Sequence, residues 1–111
     1  MSETNQSQFE NKRIIYRQGD VLLIRIDYTD LEDVVKYGEY VNNKLEIMSE
    51  NGHAHTMEGI KVFRYYGRQV VVVEKPTVLA HEQHPSLVIQ PGIYELRFVR
   101  DWLLRESRPV D

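Results

Sequence analysis

The pattern of apolar and polar residues predicts a chain built from β-strands. Residues 14–26 are rich in β-branched and aromatic side chains, and Gly19 interrupts this run as a bend in a strand would. Apolar side chains fall on both faces of residues 21–26, which is typical of a central strand with two covered faces. The four consecutive valines at 70–73 indicate a second strand of this kind, which continues past Pro76 to residue 81.

The remaining strands are predicted from alternation, and only one segment favours a helix. Alternating strands are expected at residues 44–50, 53–66, 86–90 and 94–99. Thr29 and Glu32 form a capping-box pattern and Gly38 suits a left-handed cap, so a short helix is predicted over about residues 30–37, although residues 34–37 would also suit a strand. About six strands and at most one short helix predict an all-β fold, a small barrel or a two-sheet sandwich.

Length and composition predict one intracellular domain. The chain has 111 residues, no cysteine and a net charge of −3, with basic residues spread along it. We expect a flexible leader at 1–12, a single β domain at 13–104 and a tail at 105–111. The chain lacks a secretory signal pattern and any apolar run of about 20 residues, which predicts a cytoplasmic protein without membrane contact.

All four histidines occur in two close pairs, and this is the main functional signal of the sequence. Asn51-Gly52 predicts a type I′ turn that places His53 and His55 on one face of the returning strand. His81 and His84 lie three residues apart at the end of another predicted strand.

Such spacings allow convergence on one divalent metal ion if the fold joins the two pairs. Without thiolates the ion must take imidazole, carboxylate, amide or water ligands, with zinc as first choice and iron, manganese, nickel or copper as alternatives. Glu82 and Glu58 are the candidate general bases of a metal-dependent hydrolase or other metalloenzyme of unknown substrate. Asp20 is a possible further acid, although a local backbone partner is the simpler interpretation.

Other interpretations of the same residues stay open. The histidines could form a hydrogen-bonded structural cluster or a pH-sensitive surface. The chain would then be an interaction or nucleic-acid-associated module, with contacts from residues 63–68 and 102–108. Open strand edges and the apolar 102–104 stretch would also favour a homodimer.

Two resemblances bear on this choice. His53-x-His55 followed by Glu58 resembles the first half of the cupin metal motif, which implies a ligand set of His53, His55, Glu58 and one of His81 or His84. The combination of Gly-His-Ala-His, His-Glu-Gln-His and Pro-Gly-Ile-Tyr, preceded by Gln-Gly-Asp-Val at 18–21, is similar to a family of small uncharacterised proteins of microbes and their viruses. The second resemblance covers most of residues 17–100 and implies no activity.

Overall fold

The computed structural model describes residues 14–49 and 51–101. The predicted leader at 1–12, the apolar stretch at 102–104 and the tail at 105–111 lie outside the described residues. Within them the structure has eight strands and one complete helix. These are β1 (Ile15–Gln18), β2 (Val21–Arg25), α1 (Leu31–Tyr37), β3 (Glu39–Met48), β4 (Ala54–Tyr65), β5 (Arg68–Val73), β6 (Thr77–His81), β7 (His84–Ile89) and β8 (Gly92–Phe98).

The strands form a strongly curved, nearly closed antiparallel sheet, which confirms the all-β small-barrel prediction. Their order is β1-β2-β8-β5-β4-β6-β7, and β3 pairs with the other edge of β4. The two ends of this path approach each other, because the Gln18 side chain on β1 donates hydrogen bonds to the carbonyls of Leu79 on β6 and Pro85 on β7, each at 3.0 Å. Side chains therefore help to close the barrel.

The predicted number of strands is too low because two of the predicted strands are each divided. Residues 14–26 form the β1–β2 hairpin, in which Gln18 pairs with Val21. Gly19 has a φ of +59°, and glycine at the first central position of a two-residue turn is typical of type II′. Likewise, residues 70–81 form β5 and β6 on either side of Pro76, and these strands occupy separate positions along β4.

The barrel buries one apolar cluster inside and a second beneath α1. Inside, Leu23, Met57, Val71 and Tyr94 belong to one contiguous core. The second cluster combines Val34 of the helix with a different set of strand residues: Ile26, Phe63, Tyr65, Val70 and Val72. The prediction that both faces of residues 21–26 and 70–73 are buried is confirmed, because each strand contributes to the interior and to a covered outer face.

The predicted helix exists, but its caps differ from those expected from sequence. Asp30, one residue after the expected Thr29, is the N-cap and accepts a hydrogen bond from the Asp33 backbone N–H at 2.9 Å. Gly38 is extended, with a φ of −91°, and is not a left-handed cap. No helix in the described part of the chain is long and apolar enough to cross a membrane.

The predicted type I′ turn at Asn51-Gly52 is wrong. Gly52 has a φ of +88° but Asn51 is not in the positive-φ region, and the Ser49 backbone N–H donates to His53 O at 2.8 Å. The connection from β3 to β4 therefore extends from Ser49 to His53. The structure has consecutive positive φ values at Tyr66 (51°) and Gly67 (76°), as a type I′ turn requires, in the hairpin from β4 to β5.

Candidate functional site

Three turns at one end of the barrel bring the four histidines together. The β3–β4 connection carries His53 and leads into His55, the β6–β7 hairpin joins His81 to His84, and the β1–β2 turn brings Gly19 against two of the rings. The turns are linked to one another: Asn51 donates a side-chain hydrogen bond to Gln83, and His53 Nδ1 contacts Glu82 Oε1. We call His53, His55, His81 and His84 the histidine cluster.

The two histidine pairs converge. The ring centroids of His55 and His81 are 4.3 Å apart, those of His81 and His84 are 4.6 Å apart, and those of His55 and His84 are 6.0 Å apart. His53 lies at the rim, with its ring 6.0 Å from that of His81. Pairs separated by more than 25 residues of sequence therefore share one site.

A buried hydrogen-bond network fixes the protonated nitrogen of His55. Gln18 is 2% exposed and His55 is 1% exposed. The Gln18 amide nitrogen donates to two backbone carbonyls, so its Oε1 is the acceptor that faces His55 Nδ1 at 2.9 Å. His55 must donate from Nδ1, which leaves the lone pair of the neutral ring on Nε2.

His81 is held in the opposite tautomer. The Gln83 backbone N–H donates to His81 Nδ1 at 3.0 Å, so the proton of the neutral ring is on Nε2. That nitrogen lies 3.4 Å from Ser49 Oγ. Ser49 Oγ also contacts His53 O at 2.5 Å and Asn51 Oδ1 at 2.6 Å, so the serine connects His81 to the β3–β4 connection.

The two predicted general bases occupy different surroundings. Glu82 lies in the β6–β7 turn, exposed, with its carboxylate against His53. Glu58 is exposed on β4, on the face opposite to the inward-pointing His55 and Met57, and lines a separate cleft with Val78. The structure therefore brings Glu82 to the histidine cluster and does not bring Glu58 there, so it offers no counterpart of the glutamate in the cupin motif.

Gly19 leaves room for the imidazoles. A Cβ atom on this residue would lie 2.8 Å from His84 Nε2 and 3.3 Å from His55 Cε1. Any larger residue would enter the space between the β1–β2 turn and these rings, so the turn forms one wall of the histidine cluster.

Gly19→Ala is expected to lower the free energy of unfolding by about 1–2 kcal/mol, the usual cost of left-handed backbone in a residue with a Cβ, and to displace His84. Gly67→Ala is the matched control, because Gly67 also has a positive φ but has no atom within 4 Å of an added Cβ. Urea unfolding should show a lower free energy of unfolding for both variants. Only Gly19→Ala should also shift the His55 and His84 ring signals in NMR spectra. Unchanged ring signals in Gly19→Ala would contradict this packing.

A cleft of about 420 Å³ opens beside the histidine cluster. Its wall combines imidazoles and polar groups with apolar side chains: His55, His84, Ser49, Asp20, Ile47 and Phe98. At the edge of this cleft, the Asp20 carboxylate accepts hydrogen bonds from the Arg100 backbone N–H at 3.0 Å and from Arg100 Nη2 at 3.1 Å. The expected local backbone partner of Asp20 is wrong, because its backbone partner is 80 residues away along the chain.

The fit of the histidine cluster to a metal ion is partial. Two imidazoles that share an ion through bonds of about 2 Å at a tetrahedral angle have ring centroids on the order of 5 Å apart, and the observed separations of 4.3, 4.6 and 6.0 Å bracket that value. Across residues 14–49 and 51–101, however, no three histidine or carboxylate groups are posed to hold an ion. In addition, the Gln83 N–H occupies His81 Nδ1.

The environment keeps His55 neutral. Burial is the largest cause that lowers the pKa of His55 below its usual value, followed by the His81 and His84 imidazoles, while Asp20 acts in the opposite direction. A neutral imidazole is the form that binds metals and accepts hydrogen bonds at Nε2.

Acid is expected to destabilise the metal-free protein through His55. Because the pKa of His55 is lower in the folded chain, the unfolded chain takes up the proton first, and stability falls as the pH drops below about 6.5. The loss attributable to this group is at most about 1.4 kcal/mol per pH unit. Urea unfolding with a chelator at pH 7 and pH 5 should show a larger decrease for the wild type than for His55→Gln, and equal decreases would contradict the assignment.

Two residues of this site, Gln18 and Ser49, were not predicted from the sequence. Gln18 lies in a run otherwise interpreted as strand, and its partners are 61 and 67 residues away along the chain. The sequence feature that could have indicated Gln18 is its long polar side chain directly before Gly19-Asp20, within the motif at 18–21.

Comparison with curated proteins and with solved structures finds no match to this chain. Comparison with protein families does find one, over residues 17–98, to a domain of unknown function. This range begins just before Gln18 and ends with β8, so it includes the complete histidine cluster. The chain therefore belongs to the family described as Domain of unknown function (DUF8820).

Proposed function

We propose that the histidine cluster binds a divalent metal ion, with zinc as first choice and iron, manganese or nickel as alternatives. The observation that carries the proposal is the convergence of two distant histidine pairs around His55, whose Nε2 lone pair the Gln18 network leaves free. Neutral imidazoles without thiolates suit all of these ions.

The four histidines have different parts in this proposal. His55 and His84 are the primary ligands, because the His55 lone pair is available and the His84 ring has no hydrogen bond with the described residues to give up. His81 is the third ligand and must first release the Gln83 N–H from Nδ1 or turn its ring. His53 supports the rim together with Glu82.

A reaction at this site would use the adjoining cleft. A bound divalent ion would act as a Lewis acid. The cleft of about 420 Å³ falls within the size range of small-molecule sites. Asp20 is the carboxylate that lines this cleft, whereas Glu82, the proposed general base, lines a neighbouring cleft with His53 and His81. We therefore propose a metal-dependent hydrolase of the cytoplasm as the reaction class and location.

Elemental analysis of protein purified without an affinity tag tests the proposal. The wild type should carry about one metal ion per chain, and His55→Ala/His84→Ala should carry none. Glu58→Ala is the matched control and should keep its metal, because Glu58 is on the opposite face of β4. Wild-type protein that is metal-free and takes up no zinc on dialysis would refute the proposal.

A second candidate, binding of single-stranded nucleic acid, is favoured by one observation. Tyr28, Tyr65, Tyr66 and Arg68 line a cleft at the β4–β5 turn, and Tyr66 is 71% exposed. Exposed aromatic rings can stack on bases. Phe63 and Tyr65 are largely buried, so Tyr66 would be the main stacking residue. Salt-dependent binding of an oligonucleotide that Tyr66→Ala weakens would support this candidate, and no binding at low salt would exclude it.

A further inference from the structure

We propose that Gln18 is the positioning residue of the histidine cluster, which holds His55 in the tautomer that presents Nε2 to the metal. This inference rests on the proposed metal function. In this role Gln18 does not bind the ion itself but determines which nitrogen of His55 is free to bind it.

The direction of the hydrogen bonds supports this role. Gln18 Nε2 has two hydrogens and two carbonyl acceptors, Leu79 O and Pro85 O, both at 3.0 Å. Reversing the amide would place its oxygen against both carbonyls, with repulsion at each. The orientation of the Gln18 amide is therefore fixed, and its Oε1 accepts a hydrogen bond from His55 Nδ1.

The buried position makes this constraint strong. Gln18 and His55 are both almost inaccessible to solvent, so water cannot replace the Gln18 acceptor for the His55 N–H. A buried donor without a partner costs about 1–3 kcal/mol. That cost opposes the other tautomer, in which two unprotonated acceptors would face each other at 2.9 Å.

Gln18 also couples the site to closure of the barrel. Its two carbonyl partners are on β6 and β7, the same hairpin that carries His81 and His84. One side chain thus orients a histidine of the first pair and fixes the strands that hold the second pair. Outer partners of metal-binding histidines typically contribute 10- to 100-fold to metal affinity.

The tautomer can be measured directly by long-range ¹H–¹⁵N NMR of the histidine rings in metal-free protein. We expect a protonated Nδ1 and an unprotonated Nε2 for His55 in the wild type. Gln18→Met, which has no acceptor of this kind, should shift the population toward protonated Nε2. Gln18→Glu keeps an oxygen beside His55 but loses the donors to Leu79 O and Pro85 O, so His55 Nδ1 should stay protonated while the free energy of unfolding falls.

Tyr16→Phe is the matched control. Tyr16 OH accepts from the Gln90 backbone N–H at 3.3 Å and so links β1 to the segment after β7 without contacting a histidine in any described interaction. It should leave the His55 tautomer and the zinc affinity unchanged, whereas Gln18→Met should lower zinc affinity about 10- to 100-fold.

The two proposals fail in different ways. A wild-type His55 protonated at Nε2 overturns the positioning role, whether or not Gln18→Met folds. An unchanged tautomer in a folded Gln18→Met overturns it as well. If the tautomer depends on Gln18 but the wild type binds no zinc, the metal function is refuted and Gln18 is established as the residue that positions His55.

Discussion

His55→Ala is expected to lower zinc affinity by about 100-fold or more, because it removes a ligand, a larger change than loss of an outer partner. His53→Ala should lower affinity by less than about tenfold, since His53 is at the rim and faces Glu82. Competition with a chromophoric chelator measures both values. Equal effects of the two substitutions would contradict the assignment of inner and rim histidines.

Stability must be separated from binding in this comparison. His55→Ala also leaves Gln18 Oε1 without its donor, which costs about 1–3 kcal/mol in a buried position. His84 is exposed, so His84→Ala should lower zinc affinity to a similar degree with little effect on unfolding. Thermal unfolding of the metal-free variants tests this distinction, and a His84→Ala protein with wild-type zinc affinity would exclude His84 from the ligand set.

Tyr94→Ala is expected to cause the largest loss of stability, about 3–5 kcal/mol. Tyr94 is completely buried, its ring packs edge-on against Tyr16 at 5.7 Å, and its hydroxyl donates to Gln90 O at 2.6 Å. Burial, followed by the adjacent Tyr16, raises the pKa of Tyr94 to about 12, so the hydroxyl keeps its proton and continues to donate at neutral pH.

Tyr40→Ala is the matched control, because Tyr40 is 55% exposed on β3 and packs edge-on against Phe63. In urea unfolding, Tyr40→Ala should lower the free energy of unfolding by about 1 kcal/mol or less. Tyr94→Phe should fall between the two, since it removes one hydrogen bond and keeps the ring. Similar losses for Tyr94→Ala and Tyr40→Ala would contradict the described core.

Alternation of side chains predicted most of the strands but not every chain reversal. The four valines of β5 pack into both cores, as a strand with two covered faces requires. In contrast, Gly19-Asp20 lies within a continuous β-rich run, where a bend and a tight hairpin have the same local signal. The choice between them depends on the pairing of β2 with β8, which is more than 65 residues away.

The residue types of the site could be predicted from the sequence, but the hydrogen bonds among them could not. The histidine pairs were visible in the sequence, but whether they converge was open, and the ring separations show that they do. The different states of His55 and His81 were not predictable, because they depend on Gln18 and on the Gln83 backbone N–H. Such hydrogen bonds arise only after the three turns meet at one end of the barrel.

Calorimetric titration of zinc into untagged, chelator-treated wild-type protein tests the metal proposal most directly. We predict one zinc ion per chain, a rise in melting temperature on binding, and neither effect in His55→Ala/His84→Ala. No heat of binding and an unchanged melting temperature in the wild type would contradict the account.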